Sequence, residues 1–146
     1  MTRTDARRIA FQMIFSSAGG TDLSPSEFLE EEYYRSLGAE EDVFSETPDD
    51  AQRDYILSLV YGVREHRDGL DEKIAAHAIG WKLNRISKTA LALLRLSVFE
   101  ILYREDIPDS VSINEAVELA KDYDEPETVK FINGVLGSIV REKEGA

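Results

Sequence analysis

The chain has 146 residues, a formal net charge of −12 at pH 7 and no cysteine. Its length suits one domain with a sizeable core. The absence of cysteine excludes disulfides and thiolate metal sites, which is usual for a protein of the reducing cytoplasm. The acidity argues against nucleic-acid binding through overall charge, because such binding rests on Lys and Arg that neutralise phosphates.

The charge is unevenly distributed along the chain. The net charge is +2 for residues 1–21, −10 for 22–54, +3 for 55–104 and −7 for 105–146. Without further information, solvated charges at helix ends are the simpler explanation of the basic residues. A site that binds a polyanion would use basic residues of the first and third segments, namely Arg3, Arg7, Arg8, Lys82, Arg85 and Lys88.

Residues 4–18 predict the first helix. Apolar residues cover most of its circumference, and Arg8 and Gln12 lie on its one consistently polar strip. Such a helix is expected to be packed on two sides. Because no convincing cleavage site follows it, the segment reads as part of the mature protein and not as a signal peptide.

Three further helices are expected before residue 80. Ser24 begins the second, which ends before an acidic loop over residues 38–47. Thr47 and Pro48 begin the third, since proline is tolerated in a first turn. The sequence HRDG at 66–69 predicts a bend or break before the fourth.

Residues 89–103 predict a central helix that is apolar on nearly every side. Arg95 and Glu100 are its only charged residues, and together with its short length they exclude a membrane span. Ser87 is placed to cap its first turn. Trp81 belongs to the apolar connector before it.

Two amphipathic helices are expected to follow. Ser112 and Glu115 have the spacing of a capping box, which predicts a helix that begins at about Ile113. Pro126 predicts the start of the last helix. The apolar residues of that helix that we expect to be buried are Phe131, Val135, Leu136 and Ile139.

No segment alternates apolar and polar residues as a strand does. The sequence therefore predicts an all-α fold of about seven helices, in one domain or two closely packed halves, with a natural division near residues 38–47.

The sequence offers no catalytic or metal-binding constellation. The two histidines, His66 and His77, are eleven residues apart and lack the spacing of a zinc or di-iron site. No glycine loop of the phosphate-binding type is present. Neither an enzymatic activity nor a cofactor is expected.

Several motifs resemble the NusB family of bacterial transcription antitermination and ribosomal RNA synthesis factors. They are ARRIAFQMIF near the N-terminus, Trp81 with LNRI, LLRLSVFEILY from Leu93, and IPDSVSINEAVELAK followed by KFINGVLGSIV. These motifs cover the chain from end to end in the order and spacing of the family.

The resemblance implies a compact all-helical fold of two small packed bundles without enzymatic activity. The chain would be a single domain over 1–146, with an N-terminal sub-bundle at about 1–80 and a C-terminal sub-bundle at about 81–146. It also implies binding of the boxA element of nascent RNA together with NusE, a ribosomal small-subunit protein. The pair would join other Nus factors on RNA polymerase in the cytoplasm and suppress premature termination during ribosomal RNA synthesis. A homodimer that masks the RNA face is also possible for this family.

The resemblance assigns candidate roles to individual residues. Arg3 and Arg7, with Arg8 beside them, would contact RNA phosphates, and Gln12 would reach a base edge. Glu127 matches an acidic position associated with the tuning of assembly, which marks it as a partner position or a position at the edge of the RNA. The two candidates for RNA contact in the C-terminal motifs are Lys121 and Lys130.

Other motif residues have a structural explanation at this stage. We expect Phe131 to pack in the core, Asn133 to hydrogen-bond across the bundle, and Gly134 to allow a close helix approach.

Two departures from the family pattern bear on binding. Thr4 and Asp5 stand where the family often has basic residues, so RNA affinity of the chain alone is expected to be weak. Ala90 and Leu91 replace an acidic and then a basic residue, which removes one expected NusE contact.

Two other functions remain open. The chain could be a helical protein-interaction module without RNA contact, with the acidic second helix and the C-terminal segment as its binding face. It could also be a non-catalytic relative of the NusB-like domains that are fused to ribosomal RNA methyltransferases.

Overall fold

The computed structural model describes residues 1–18, 24–29 and 46–145. Within these ranges the structure has seven α-helices, one 3-10 turn at Leu83–Arg85, and no strand. The predicted all-α class and helix number are confirmed. The helices are α1 (Arg3–Ala18), α2 (Pro25–Phe28), α3 (Asp50–Glu65), α4 (Arg67–His77), α5 (Lys88–Tyr103), α6 (Asp109–Tyr123) and α7 (Pro126–Gly145). The predicted continuation of the second helix past Leu29 and most of the predicted loop at 38–47 lie outside the described residues.

The chain divides into two compact units, Met1–Gly62 and Val63–Ala146. The division lies within α3, and α4 belongs to the second unit. The guanidinium of Arg95 in α5 donates to both carboxylate oxygens of Asp71 in α4, at 2.8 and 2.9 Å.

Reciprocal side-chain hydrogen bonds begin both long helices of the first unit. The Thr2 hydroxyl accepts from the backbone N–H of Asp5, and the Asp5 carboxylate accepts from that of Thr2. Asp49 and Gln52 form the same exchange before α3. Because Asp49 satisfies the first-turn donors, α3 begins at Asp50 and not at the predicted Thr47.

The apolar faces of these two helices supply much of the core of the first unit. The buried residues of α1 are Ala6, Ile9, Ala10, Phe11, Met13 and Ile14. Those of α3 in this unit include Tyr55, Ile56, Leu59 and Val60.

Helix α5 is the centre of the second unit, as its composition predicts. Every residue from Ala92 to Ile101 is buried, including Arg95 and Glu100. The Ser87 hydroxyl accepts from the Ala90 backbone N–H at 3.1 Å, which confirms the predicted cap. Helices α4, α6 and α7 all pack against α5.

The predicted capping box of α6 is wrong. The helix begins at Asp109, directly after Pro108 as its N-cap residue. Ser112 therefore lies inside the helix and on its buried face, with Ala116 one turn further on. The Ser112 hydroxyl is enclosed and makes no hydrogen bond within the described residues.

Helix α7 begins at Pro126 as predicted, and the expected burial of Val135, Leu136 and Ile139 is confirmed, whereas that of Phe131 is not. Ile132 is fully buried, whereas Phe131 is only half-buried. Asn133 and Gly134 are exposed. A Cβ added at Gly134 would meet no atom within 4 Å, so neither the hydrogen bond expected of Asn133 across the bundle nor a close helix approach explains these residues.

None of the helices that the structure describes combines the length and apolarity that crossing a membrane requires.

Candidate functional site

In the first unit, the three candidate arginines of α1 have different surroundings. Arg3 is exposed, and its guanidinium carbon lies 3.9 Å from the centroid of the Tyr55 ring. Arg8 is half-buried. Arg7 is only 1% exposed, with its guanidinium 5.9 Å from the Tyr55 centroid. The structure therefore encloses the guanidinium of Arg7, and the expected phosphate contact of Arg7 stays a prediction.

Gln12, the candidate for a base contact, is half-buried on α1. Arg3 and Tyr55 also line a shallow concavity of about 180 Å³ on the same unit. The arrangement leaves Arg3 as the most accessible of the candidate cations in α1.

In the second unit, the candidates of the C-terminal motifs are all exposed. Lys121 lies in the last turn of α6 and is paired with Glu118 at 2.9 Å. Glu127 lies in the first turn of α7, and Lys130 follows it within the same helix. Within the described residues, no hydrogen bond or ion pair engages the side chains of Lys130 and Glu127.

An exposed aromatic pair that sequence reasoning missed lies in the second unit. Trp81 is 54% exposed, and its ring centroid is 5.3 Å from that of Phe131. Gly80 precedes it with φ of +83°, a left-handed conformation that favours glycine and turns the chain after α4. The signal in the sequence was the position of the only tryptophan, which lies between a glycine and a lysine and not within a helix.

Two adjacent concavities share this tryptophan. The larger has a volume of about 530 Å³ and is lined by Gly80, Trp81, Lys82 and Arg85. The other has a volume of about 190 Å³ and places Trp81 and Arg85 together with Phe131. Lys82 and Arg85 are exposed, and no side-chain hydrogen bond or ion pair holds them within the described part of the chain.

The second concavity also has acidic residues at its edge. Glu125 and Glu127, from the start of α7, contribute to its lining. Its remaining walls come from Ile86, Ser87, Ala90 and Thr128. We call these two concavities together the Trp81 groove. It combines an accessible aromatic face with free cations, which is the combination that single-stranded nucleic acid uses for base stacking and phosphate contact.

The two histidines take part in contacts within the second unit. The ring of His66 stacks on Tyr103 with a centroid distance of 4.2 Å. His77 joins α4 to α7, because its Nδ1 lies 2.7 Å from the Ser138 hydroxyl and its Nε2 lies 2.9 Å from the Glu142 carboxylate. Among the described residues, no group of His, Cys, Asp or Glu could hold a metal ion.

Lys73 completes the contact between α4 and α7. Its ammonium donates to the second carboxylate oxygen of Glu142. The hydrogen bond from Lys73, and then that from His77, lowers the pKa of Glu142 below its ordinary value of 4.5. This cluster ties two helices together and has no concavity of its own among those that the structure describes.

Comparison with known proteins gives one consistent result. A sequence model described as the NusB family matches residues 4–141. The chain is 45% identical over 139 residues to a transcription antitermination protein NusB from Carboxydothermus hydrogenoformans, covering 95% of this chain and 92% of the relative. It is 41% identical over 139 residues to the protein of the same name from Bacillus velezensis, covering 95% of each.

Solved structures agree with the sequence comparison. The structure superposes on that of T. maritima NusB with a TM-score of 0.78 at 29% identity, covering 97% of this chain and 92% of the other. For the solution structure of NusB from Aquifex aeolicus the TM-score is 0.70 at 25% identity, with 95% and 87% covered. The chain therefore belongs to the NusB family, and the relatives that it matches are transcription antitermination proteins.

Proposed function

We propose that this chain binds the boxA element of nascent ribosomal RNA together with NusE and so supports antitermination in the cytoplasm. The observation that carries the proposal is the Trp81 groove, in which an exposed tryptophan lies beside the exposed side chains of Lys82 and Arg85. Stacking on an aromatic ring is tolerant of base identity and is available only to unpaired strands, so this surface suits a single-stranded element.

The charge of the chain explains why a partner is needed. With a net charge of −12, it offers few phosphate contacts against a large repulsion. Further contacts are proposed for Arg3, Arg8, Gln12, Lys121 and Lys130. NusE would supply the remaining RNA surface, and the pair would join RNA polymerase with other Nus factors. A homodimer would compete with this assembly.

The test is the binding of a fluorescent boxA RNA and a scrambled RNA to the purified protein, with and without its cognate NusE, across salt concentrations. We expect tight and sequence-selective binding only with NusE present. Binding of NusE without any preference for boxA would instead identify a protein-interaction module. Equal RNA binding by the free protein and the complex would contradict the proposed division of roles.

The Trp81→Ala variant tests whether the groove takes part. Since one base stacked on an aromatic ring contributes about 1–3 kcal/mol, we expect the affinity for boxA to fall roughly 5-fold to 100-fold. Tyr103→Ala is the matched control, because Tyr103 is 49% exposed but lies at the opposite end of α5 from the groove. Comparable losses in both variants would remove the groove from the binding site.

A further inference from the structure

The Trp81 groove is lined by carboxylates as well as by cations, and contact with the RNA backbone alone would not require the carboxylates. Lys82 lines only its larger concavity and Arg85 lines both. Glu125 and Glu127 line only the smaller one, beside Phe131. Carboxylates near an RNA strand repel its phosphates, so a surface meant only for the backbone would be expected to lack them. Their position next to an aromatic face is better suited to the edge of a base.

Glu127 is the carboxylate best placed for this role. It precedes Phe131 by four residues on α7, and residues with this spacing are neighbours on one face of a helix. Its side chain makes no hydrogen bond or ion pair within the described residues. Both of its oxygens are therefore available as acceptors beside the rings of Phe131 and Trp81.

The nature of the acceptor restricts which base fits. An ionised carboxylate accepts only, so it can form two parallel hydrogen bonds only with an edge that has two adjacent N–H donors. The Watson–Crick edge of guanine has such a pair, at N1 and the exocyclic amine. Adenine and cytosine place an acceptor nitrogen beside their amine, and uracil flanks one N–H with two carbonyl groups.

We propose that the Trp81 groove selects one guanosine of the bound RNA strand. The base lies against Trp81 with its Watson–Crick edge toward Glu127, and its phosphate lies beside Lys82 and Arg85. This inference rests on the proposed RNA-binding function. A free guanine nucleotide has the same chemistry, but the two cations and the acidic pair of Glu125 and Glu127 cancel in charge. We therefore expect useful binding only when the rest of a strand is held elsewhere.

The experiment uses the full chain with its NusE partner and boxA RNAs that carry guanosine, inosine or adenosine at one position, with each position of the element tested in turn. A bidentate contact discriminates between bases by about tenfold, so the guanosine RNA is expected to bind about tenfold more tightly than the adenosine RNA. Inosine, which lacks the exocyclic amine, is expected to fall between them. Equal binding of the three RNAs would overturn the inference while leaving the proposed function intact, whereas absence of all RNA binding would overturn both.

Two variants separate base recognition from simple repulsion. Glu127→Gln removes one negative charge and replaces an acceptor with a donor, so we expect all RNAs to bind somewhat more tightly and the preference for guanosine to disappear. Glu72→Gln, at an exposed position of α4, removes the same charge and is expected to keep the preference. If Glu127→Gln kept the tenfold preference, Glu127 would not read the base. Competition by free guanosine monophosphate at the same concentrations as the boxA RNA would overturn the assignment to a strand.

Discussion

At the scale of single residues, burial decides which cations of α1 are able to meet a ligand. Arg7 is enclosed, whereas Arg3, one turn earlier, is exposed above the Tyr55 ring. A long arginine side chain can pack its methylene groups in a core while its guanidinium is held by neighbours. The same residue type in the same helix therefore has a structural role at one position and an accessible charge at the other.

Alanine substitutions are expected to separate these two roles. Arg7→Ala leaves a large cavity, so we expect the free energy of unfolding to fall by about 2–4 kcal/mol. Arg3→Ala loses only an exposed cation–π contact, which contributes less than about 1 kcal/mol. Urea unfolding measures both changes.

The effects of the two substitutions on RNA binding should have the opposite order, with the larger effect for Arg3→Ala. A plot of log affinity against log salt has a negative slope. If Arg3 neutralises one phosphate, Arg3→Ala makes this slope less steep by about 0.7. The folded fraction of Arg7→Ala is expected to keep the slope of the unsubstituted protein. A reduced slope in Arg7→Ala at unchanged stability would show that Arg7 reaches the RNA after all.

At the scale of helices, the ends of the elements are held by specific side chains. Ser87 accepts from the first turn of α5 and donates to Asp124, which follows α6, at 3.1 Å. Ser112, in contrast, is buried within α6 without a hydrogen bond to the described residues. Both serines were expected to cap the helix that follows them, and only the structure separates the cap from the buried hydroxyl.

Substitution of the two serines by alanine is expected to have opposite effects. Ser87→Ala removes a cap, so we expect it to lower the free energy of unfolding by about 1 kcal/mol. Ser112→Ala removes an unsatisfied buried polar group and improves helix propensity, so stability is expected to stay unchanged or to rise by up to about 1 kcal/mol. Denaturant midpoints provide the measurement. A large loss in Ser112→Ala would mean that its hydroxyl is satisfied in solution.

The contact between α4 and α7 is expected to respond to pH. The folded state lowers the pKa of Glu142, so its contribution to stability is full above the ordinary value of 4.5 and is lost as the pH falls through the lower folded value. Glu142→Gln should therefore be less stable than the unsubstituted protein near neutral pH, and the difference should shrink in acid. Urea unfolding over a pH series follows this difference.

Glu144→Gln is the control for that series, because Glu144 is exposed in the same helix and makes no contact with Lys73 or His77 within the described residues. Its stability difference from the unsubstituted protein should not vary with pH. A constant difference for Glu142→Gln as well would show that the lysine and histidine contacts do not persist in solution.

At the scale of the whole molecule, net charge has opposite consequences for folding and for RNA binding. The excess of acidic residues repels itself in the compact state, and this repulsion is screened by salt. RNA binding through cations weakens as salt rises, because the release of each counterion into a more concentrated salt solution gains less free energy. As salt rises, the stability of the fold should therefore increase while the affinity for RNA decreases.

A salt titration tests this expectation. Between about 50 and 200 mM potassium chloride, the phosphate contacts proposed for Arg3, Lys82 and Arg85 alone would lower the RNA affinity about twentyfold. The other proposed contacts would add to this loss, while the free energy of unfolding in urea should rise. RNA affinity that does not depend on salt would contradict binding through Arg3, Lys82 and Arg85.

Periodicity and composition predicted the helices well because those signals are local. The all-apolar character of the segment after Ser87 was enough to identify the central helix α5. Exposure depends on neighbours that are distant in sequence, so the burial of Arg7 and the accessibility of Trp81 were not predictable in the same way. The predicted start of α6 at about Ile113 was wrong, because Pro108 is the N-cap residue and the helix begins at Asp109, one turn earlier than the spacing of Ser112 and Glu115 indicated.

The same tryptophan gives the molecule an internal optical reporter. Trp81 is the only tryptophan of the chain, so red-edge excitation, which tyrosine does not absorb, reads the emission of one indole in one groove. A base stacked on that ring would quench it, and no label would be needed to follow the encounter. Because the indole is already half-exposed in the folded protein, its emission would report occupancy of the groove far more strongly than it reports unfolding.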